Sequence, residues 1–253
     1  MQDFNLIIDS GNKKFDFFLQ SFFKFFLKSV MAGCYLGIAM ILSLSLGSIL
    51  NTFDTNLAKI GYSLFFGLTF VLIVFLNGEL FTGNCLTTLF PVLHKERSIF
   101  IMSKMWLVCL IGNFLGVMWI AYLFVKSESL VNLVTPYIAL LVETKLDYNF
   151  DTLLIRSILC NFIVCIATYI SIKIKDEMAK TTIMLLVIST FVITGFDHCI
   201  ANIGLYTMGI TLNLVDSSFS LVNNILISIL GNIIGGSLML GLPIYWILFT
   251  SKD

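Results

Sequence analysis

Six apolar runs, each long enough to cross a bilayer, occupy most of this 253-residue chain and leave little room for another architecture. A helix needs about 20 apolar residues to traverse the hydrocarbon. The runs fall at roughly 29–50, 61–89, 99–125, 151–173, 181–210 and 222–249. Hydrophobic residues make up 58% of the chain and charged ones 12%, about half the roughly 25% of soluble domains. A water-facing surface cannot be built from such a composition, so the sequence predicts an all-α integral membrane protein of six transmembrane helices. Formal net charge is zero and no basic run stands out, which argues against nucleic acid as a partner.

Residues 13–28, KKFDFFLQSFFKFFLK, interleave phenylalanine with lysine. This reads as an amphipathic helix on the membrane surface, so residues 1–28 are expected to form an interfacial segment ahead of one transmembrane domain over 29–253. Lys24 and Lys28 interrupt its apolar cluster and no small-residue cleavage site follows, so a cleavable signal is not expected. One side of the membrane collects Lys13, Lys14, Lys24, Lys28, Lys95, Arg97, Lys104, Lys173, Lys175, Lys180 and Lys252; the other has Lys59, Lys126, Lys145 and Arg156. The excess of cations marks the cytoplasmic face, predicting a multi-pass inner-membrane protein with both termini in the cytoplasm. The six cysteines form no CxxC pair and read as small buried hydrophobes rather than metal ligands.

Two of the runs are interrupted. The second carries Asn77-Gly78-Glu79-Leu80-Phe81-Thr82-Gly83-Asn84 and the fifth Thr194-Gly195-Phe196-Asp197-His198-Cys199-Ile200-Ala201-Asn202. A carboxylate in hydrocarbon is costly unless it is paired or faces a cavity, and non-helical backbone survives there only where protein or water satisfies it. Both helices are therefore expected to break in mid-membrane beside something wet. The breaks also match each other: Glu79 to Asp197 and Asn84 to Asn202 are each 118 residues apart (197 − 79; 202 − 84). Gly112-Asn113-Phe114-Leu115-Gly116 resembles Gly231-Asn232-Ile233-Ile234-Gly235 at 119 (231 − 112). Two matches in order at nearly one spacing indicate a duplicated three-helix unit, over about 29–125 and 151–249. An odd number of crossings inverts the halves and puts the solute path at their interface, near the midplane.

Gly78-Glu79-Leu80-Phe81-Thr82 and Gly195 through Asn202, with the GNIIGG of the last helix, resemble the two signatures of the formate/nitrite transporter family. The resemblance spans nearly the whole chain. It implies an aquaporin-like fold of two inverted repeats, a homopentamer in the lipid bilayer with a pore in each protomer, and passage of hydrosulfide, formate or nitrite without a cofactor. It also implies residue roles. Phe70 and Leu80 would form the cytoplasmic constriction, with Thr82 in the loop that breaks the second helix, and Phe191 the outer one. Lys145, Asn161 and Asn232 match a pore-side lysine and two pore-side asparagines. Phe70 stands where the better-known formate channels carry leucine, and Asn77 and Asn84 flank the first signature. The variant NGELFTGN looks closer to the hydrosulfide branch.

The residues themselves leave alternatives. His198 is a buried imidazole bonded to backbone, or a pore-lining group. Histidine titrates nearest neutral pH; the ring would donate a hydrogen bond to an arriving anion, or pass it a proton so that it crosses as the neutral acid. An acid crosses a dry apolar ring at far less cost than its anion does. Lys145 is a solvated loop lysine, or attracts anions toward His198. Glu79 and Asp197 form a proton relay or, the preferred reading, accept N–H bonds that the broken helices leave free. Backbone N–H groups of half-helices starting after Thr82 and Asn202 would present partial positive charge to an anion. Asn161 and Asn232 hold helices together or bond the solute. An aquaporin would place Asn-Pro at each half-helix start, but Pro91, Pro136 and Pro243 follow no asparagine. An enzyme is not expected, since a catalytic zinc needs about three protein ligands and only His94 and His198 exist. A proton-coupled carrier built on the same residues remains open.

Overall fold

In the computed structural model, residues 2–215 and 219–250 are described; Lys252 lies outside them. Every regular element among the described residues is helical, as a chain surrounded by lipid requires, because a helix satisfies its backbone within its own segment. Five helical stretches are long and apolar enough to cross a membrane. The shorter pair Glu177–Ile193 and Cys199–Thr211 supplies the remaining crossing, consistent with six.

The N-terminal segment differs from expectation. Helix α1 (Gln2–Gln20) ends at Ser21, and α2 (Phe22–Asn51) runs unbroken from there, so Lys24 and Lys28 belong to the first crossing. Phe4, Ile7, Ile8, Phe15 and Phe18 of α1 are buried, a stripe at helical spacing that packs on protein. Phe4 meets the rings of Phe90, His94, Tyr245 and Phe249. Polar contacts fasten the helix further: Asp16 pairs with Arg97 at 2.8 Å, and Asp3 accepts from Lys173 Nζ at 2.5 Å and Tyr169 Oη at 2.9 Å.

The second crossing comprises α3 (Thr55–Phe66), α4 (Leu68–Phe75), then after a break α5 (Phe81–Thr87) and α6 (Leu89–Leu93). It starts six residues before the expected position 61 (61 − 55). Helix α7 (Ile99–Lys126) completes the first half. The second half begins with an unforeseen helix, α8 (Val131–Leu146), where a charged loop was expected. Then come α9 (Phe150–Lys173), the broken pair α10 (Glu177–Ile193) and α11 (Cys199–Thr211), and α12 (Phe219–Ile233). A π-helical stretch (Ile234–Gly241) joins α12 to α13 (Leu242–Thr250). Helix α8 stands before α9 as α1 stands before α2, so each half carries its own leading helix.

Helix α2 packs along α7, and α9 along α12. The glycines of the repeated Gly-Asn motif make these approaches possible. A Cβ on Gly116 would overlap the Val30 carbonyl, and one on Gly235 the Ile158 carbonyl; close backbone contact of this kind replaces the hydrophobic drive that lipid removes. The two breaks are built alike. Asn77 (φ 54°) and Gly195 (φ 72°), 118 residues apart (195 − 77), both turn left-handed. The next amides, Gly78 and Phe196, donate back to Ile73 and Phe191 at 2.8 and 2.9 Å, the Schellman closure of a helix end.

Gly116→Val and Gly235→Val are each expected to cost at least about 1–3 kcal/mol through overpacking, read as lower yield and thermal stability of detergent-purified protein. Asp3 gives a second expectation. Hydrogen bonds from Lys173 and then Tyr169 hold its carboxyl below the usual carboxylate range. A depressed folded value contributes stability above the unfolded value, near 3.9, and loses it as pH falls through the folded one. Protease cleavage within α1 should therefore stay constant from neutral pH down to about pH 4 and rise only below it; Asp3→Asn should raise cleavage at neutral pH.

Candidate transport path

The two helix breaks meet in the interior. Thr82 and His198 lie in the first turn of α5 and at the N-cap of α11, and Thr82 Oγ1 is 3.1 Å from His198 Nε2. The Ala201 amide donates to His198 Nδ1 at 3.3 Å. A backbone N–H only donates, so Nδ1 holds a lone pair and the proton of the neutral ring is assigned to Nε2. Nε2–H therefore points at Thr82.

The half-helices start at Phe81 and Cys199, rather than after Thr82 and Asn202. Their leading amides are not capped by Glu79 and Asp197, contrary to expectation. Asn113 Oδ1 accepts from Phe81 N at 2.9 Å, while its Nδ2 donates to the carbonyls of Ser29 and Glu79 at 2.8 Å each. Asn232 repeats this: Oδ1 accepts from Cys199 N at 3.0 Å, and Nδ2 donates to Ser157 and Asp197 carbonyls at 2.8 and 3.0 Å. Asn161 Nδ2 donates to the carbonyls of Asn232 (2.6 Å) and Thr82 (3.3 Å). Asn113, Asn161 and Asn232 are fully buried, and none borders the cavities described below. Asn161 and Asn232 thus brace helices where pore lining was expected.

The two carboxylates hold cations instead. Lys14, on α1, reaches Glu79 at 2.6 Å. Lys145, in the last turn of α8 rather than in a loop, reaches Asp197 at 2.6 Å. Asp197 also accepts from Arg156 Nε at 3.1 Å, and the same guanidinium donates to the Gly195 carbonyl. Asn84 and Asn202 donate to Glu79 (3.3 Å) and Asp197 (3.0 Å). Each leading helix thus delivers a lysine to the carboxylate of its own half.

Two vestibules approach the break. The one on the α8 side, termed outer after the orientation expected from the sequence charges, is about 510 Å³ and is walled by Lys59, Lys145, Arg156, Tyr148, Phe66, Phe191 and His198 among others. The inner one, about 270 Å³, is walled by Lys13, Lys14, Lys28, Glu79, Phe70 and Leu80 among others. Each wall presents three cations, against one carboxylate in the inner wall and none in the outer. Between them lies a chamber of about 10 Å³, walled by Leu36, Phe66, Thr69, Phe70, Leu80, Val164, Ile188, Phe191 and His198. That is about the minimum for one water molecule, so the chamber is a constriction too small for a hydrated ion. Phe70 and Leu80 border both it and the inner vestibule; Phe66, Phe191 and His198 border both it and the outer one. Phe191 lies near-parallel to the His198 ring at 6.0 Å (25° between planes) and meets Phe66 edge-on at 6.0 Å.

The formate/nitrite transporter family profile matches residues 1–246. The chain belongs to the formate/nitrite transporter family. It is a transporter rather than an enzyme. It is similar to a formate-nitrite transporter of Entamoeba histolytica, 29% identical over 88% of this chain, and spans 64% of that relative's length. Among solved structures, an ion channel of the formate/nitrite transporter family superposes with a TM-score of 0.90 at 23% identity, covering 97% of this chain and 98% of the other. A pentameric formate channel with formate bound superposes with a TM-score of 0.75 at 23% identity, covering 90% and 97%. Those likenesses establish the shared fold.

Within this family member, sequence reasoning overlooked Phe66, Lys14, Arg156 and Asn113. Phe66 is one of 24 phenylalanines with no distinguishing period. Lys14 and Arg156 were visible only as charges that set the orientation. Asn113 stood in plain sight as the repeat mate of Asn232. Asn113→Ala and Asn232→Ala each strand one amide and two carbonyls, and are expected to lower stability by similar amounts of about 1–3 kcal/mol or more. Thermal unfolding of the purified variants measures this; an unchanged midpoint in Asn232→Ala would mean that it does not brace the break.

Proposed function

We propose that each protomer of a homopentamer passes small monovalent anions of weak acids (hydrosulfide, formate or nitrite) through the vestibules and the chamber at His198. The observation that carries this reading is two cation-walled vestibules separated by a narrow chamber bordered by His198, whose Nε2–H is turned to Thr82. Each vestibule carries more cations than the one carboxylate they pair with, and this excess raises the local anion concentration. Lys145 serves there as the outer attractor, held by Asp197. At the chamber the solute must shed water, and the phenylalanine and leucine side chains must part for it, as hydrophobic constrictions do when they gate by excluding water. The imidazole in its assigned tautomer gives the anion a hydrogen bond when the anion replaces Thr82 as the acceptor of Nε2–H. Giving up its only ring proton would leave an imidazolate, so for the ring to exchange a proton Nδ1 must first release the Ala201 amide and gain a proton. Phe70 and the asparagines Asn77 and Asn84 support hydrosulfide as the preferred solute. Assembly as a homopentamer follows the pentameric formate channel that shares the fold. The cation excess around α1 supports an inner-membrane orientation with both termini cytoplasmic.

The narrowness of the chamber also favours a second reading, a proton-coupled carrier that opens to one side at a time. Proteoliposomes loaded with formate, nitrite, hydrosulfide or chloride separate the possibilities. The weak-acid anions should leak at least about tenfold faster than chloride, and His198→Phe, which removes a charge-assisted hydrogen bond, should slow them by about tenfold or more. His198→Phe indistinguishable from wild type for every solute would falsify the role of the imidazole. Faster efflux of labelled formate when unlabelled formate is present outside, the exchange that an alternating-access carrier shows and an open channel does not, identifies the carrier.

A further inference from the structure

The chamber wall contains a polar group that no contact in the fold employs. Thr69 sits in the first turn of α4, just after the junction at Gly67. It is 5% exposed, and its hydroxyl has no hydrogen-bond partner among the described residues. Buried hydroxyls elsewhere on the spanning helices return to the carbonyl four residues back, as in Ser29, Ser43, Ser157 and Thr168, the usual way a helix hides them. Ser48 and Ser228 share the unpaired state of Thr69, but neither borders the vestibules or the chamber, whereas Thr69 does. A buried unpaired hydroxyl is costly to keep, and here it stands in the one stretch of the path where a solute has lost its water. Apart from His198, the rest of that wall is apolar.

We propose that the Thr69 hydroxyl is a solute-binding group that donates a hydrogen bond in the chamber it shares with His198 and raises formate and nitrite flux relative to hydrosulfide, acting against the hydrosulfide preference that Phe70, Asn77 and Asn84 support. Hydrogen bonds to an anionic oxygen are short and strong, whereas sulfur is a weak acceptor. Formate and nitrite therefore gain more from the hydroxyl than hydrosulfide does. Thr69 acts as a selectivity determinant within a pore whose other chamber donor, Nε2–H, is already engaged by Thr82. This inference rests on the weak-acid reading above.

Thr69→Val keeps the side-chain shape and removes the donor; Thr69→Ser keeps the donor. In proteoliposomes, Thr69→Val should lower formate and nitrite flux about tenfold, equivalent to about 1.4 kcal/mol, and change hydrosulfide flux by less than about twofold. Thr69→Ser should stay near wild type for all three solutes. A formate-to-hydrosulfide flux ratio unchanged in Thr69→Val overturns the proposal, and so does an equal fall for every solute, which reports shape alone. If the valine variant does not assemble, Thr69→Ala is read for the same ratio. Wild-type protein that passes chloride as fast as formate removes the weak-acid reading and this inference with it. An unchanged ratio in a weak-acid-selective protein removes only the role of Thr69.

Discussion

Interrupting a helix inside a bilayer strands amides and carbonyls that have no water to turn to, each costing several kcal/mol, and the whole path depends on how two such interruptions are satisfied. Asn113 and Asn232 do it by one arrangement used twice. A single carboxamide supplies the acceptor for the first amide of a half-helix and the donors for two carbonyls, one from the break and one from the neighbouring spanning helix. Because an asparagine has donors and acceptor on one rigid plane, it also fixes the angle at which the half-helix starts. The approach of α7 to α2, and of α12 with its π-helical continuation to α9, permitted by Gly116 and Gly235, brings each carboxamide to its place.

With the backbone braced by asparagine, Glu79 and Asp197 are free to hold charge. A buried carboxylate without a partner carries a penalty of several kcal/mol, and each of these is met by a cation carried on the helix that leads its half: Lys14 from α1 and Lys145 from α8. The same lysines wall the vestibules. Each pair neutralises its break, and the further cations of each wall, Lys13 and Lys28 on one side and Lys59 and Arg156 on the other, give the mouth its positive excess. Arg156 adds to this on the outer side, where its guanidinium ties Asp197 to the Gly195 carbonyl.

Between the mouths, the problem reverses. The chamber of about 10 Å³ admits no hydrated ion, and its few polar atoms are countable: Nε2–H of His198, already turned to Thr82, and the unpaired hydroxyl of Thr69. Selectivity in such a place rests on what a solute can do without water, which depends on its acceptor strength and on how readily it exists as a neutral acid.

Much of this was legible in the chain. The apolar runs dictated spanning helices because the bilayer has one thickness, and the polar interruptions at Glu79 and Asp197 marked the breaks because charge in hydrocarbon needs a reason. The spacing of 118 residues exposed the duplication, which reappears in the backbone as the left-handed turns at Asn77 and Gly195. Tertiary structure alone decided which polar group meets which. Helix α8 was hidden because its mixed sequence is too short and too polar to read as a span, so Lys145 looked like a loop charge. The carboxylates looked like caps, and Asn232 like pore lining, because sequence spacing records position along one helix and not the neighbour across the contact. Phe66 and Thr69 carry no local signal at all. They share a space with His198 that exists once α3, α4, α10 and α11 are packed together.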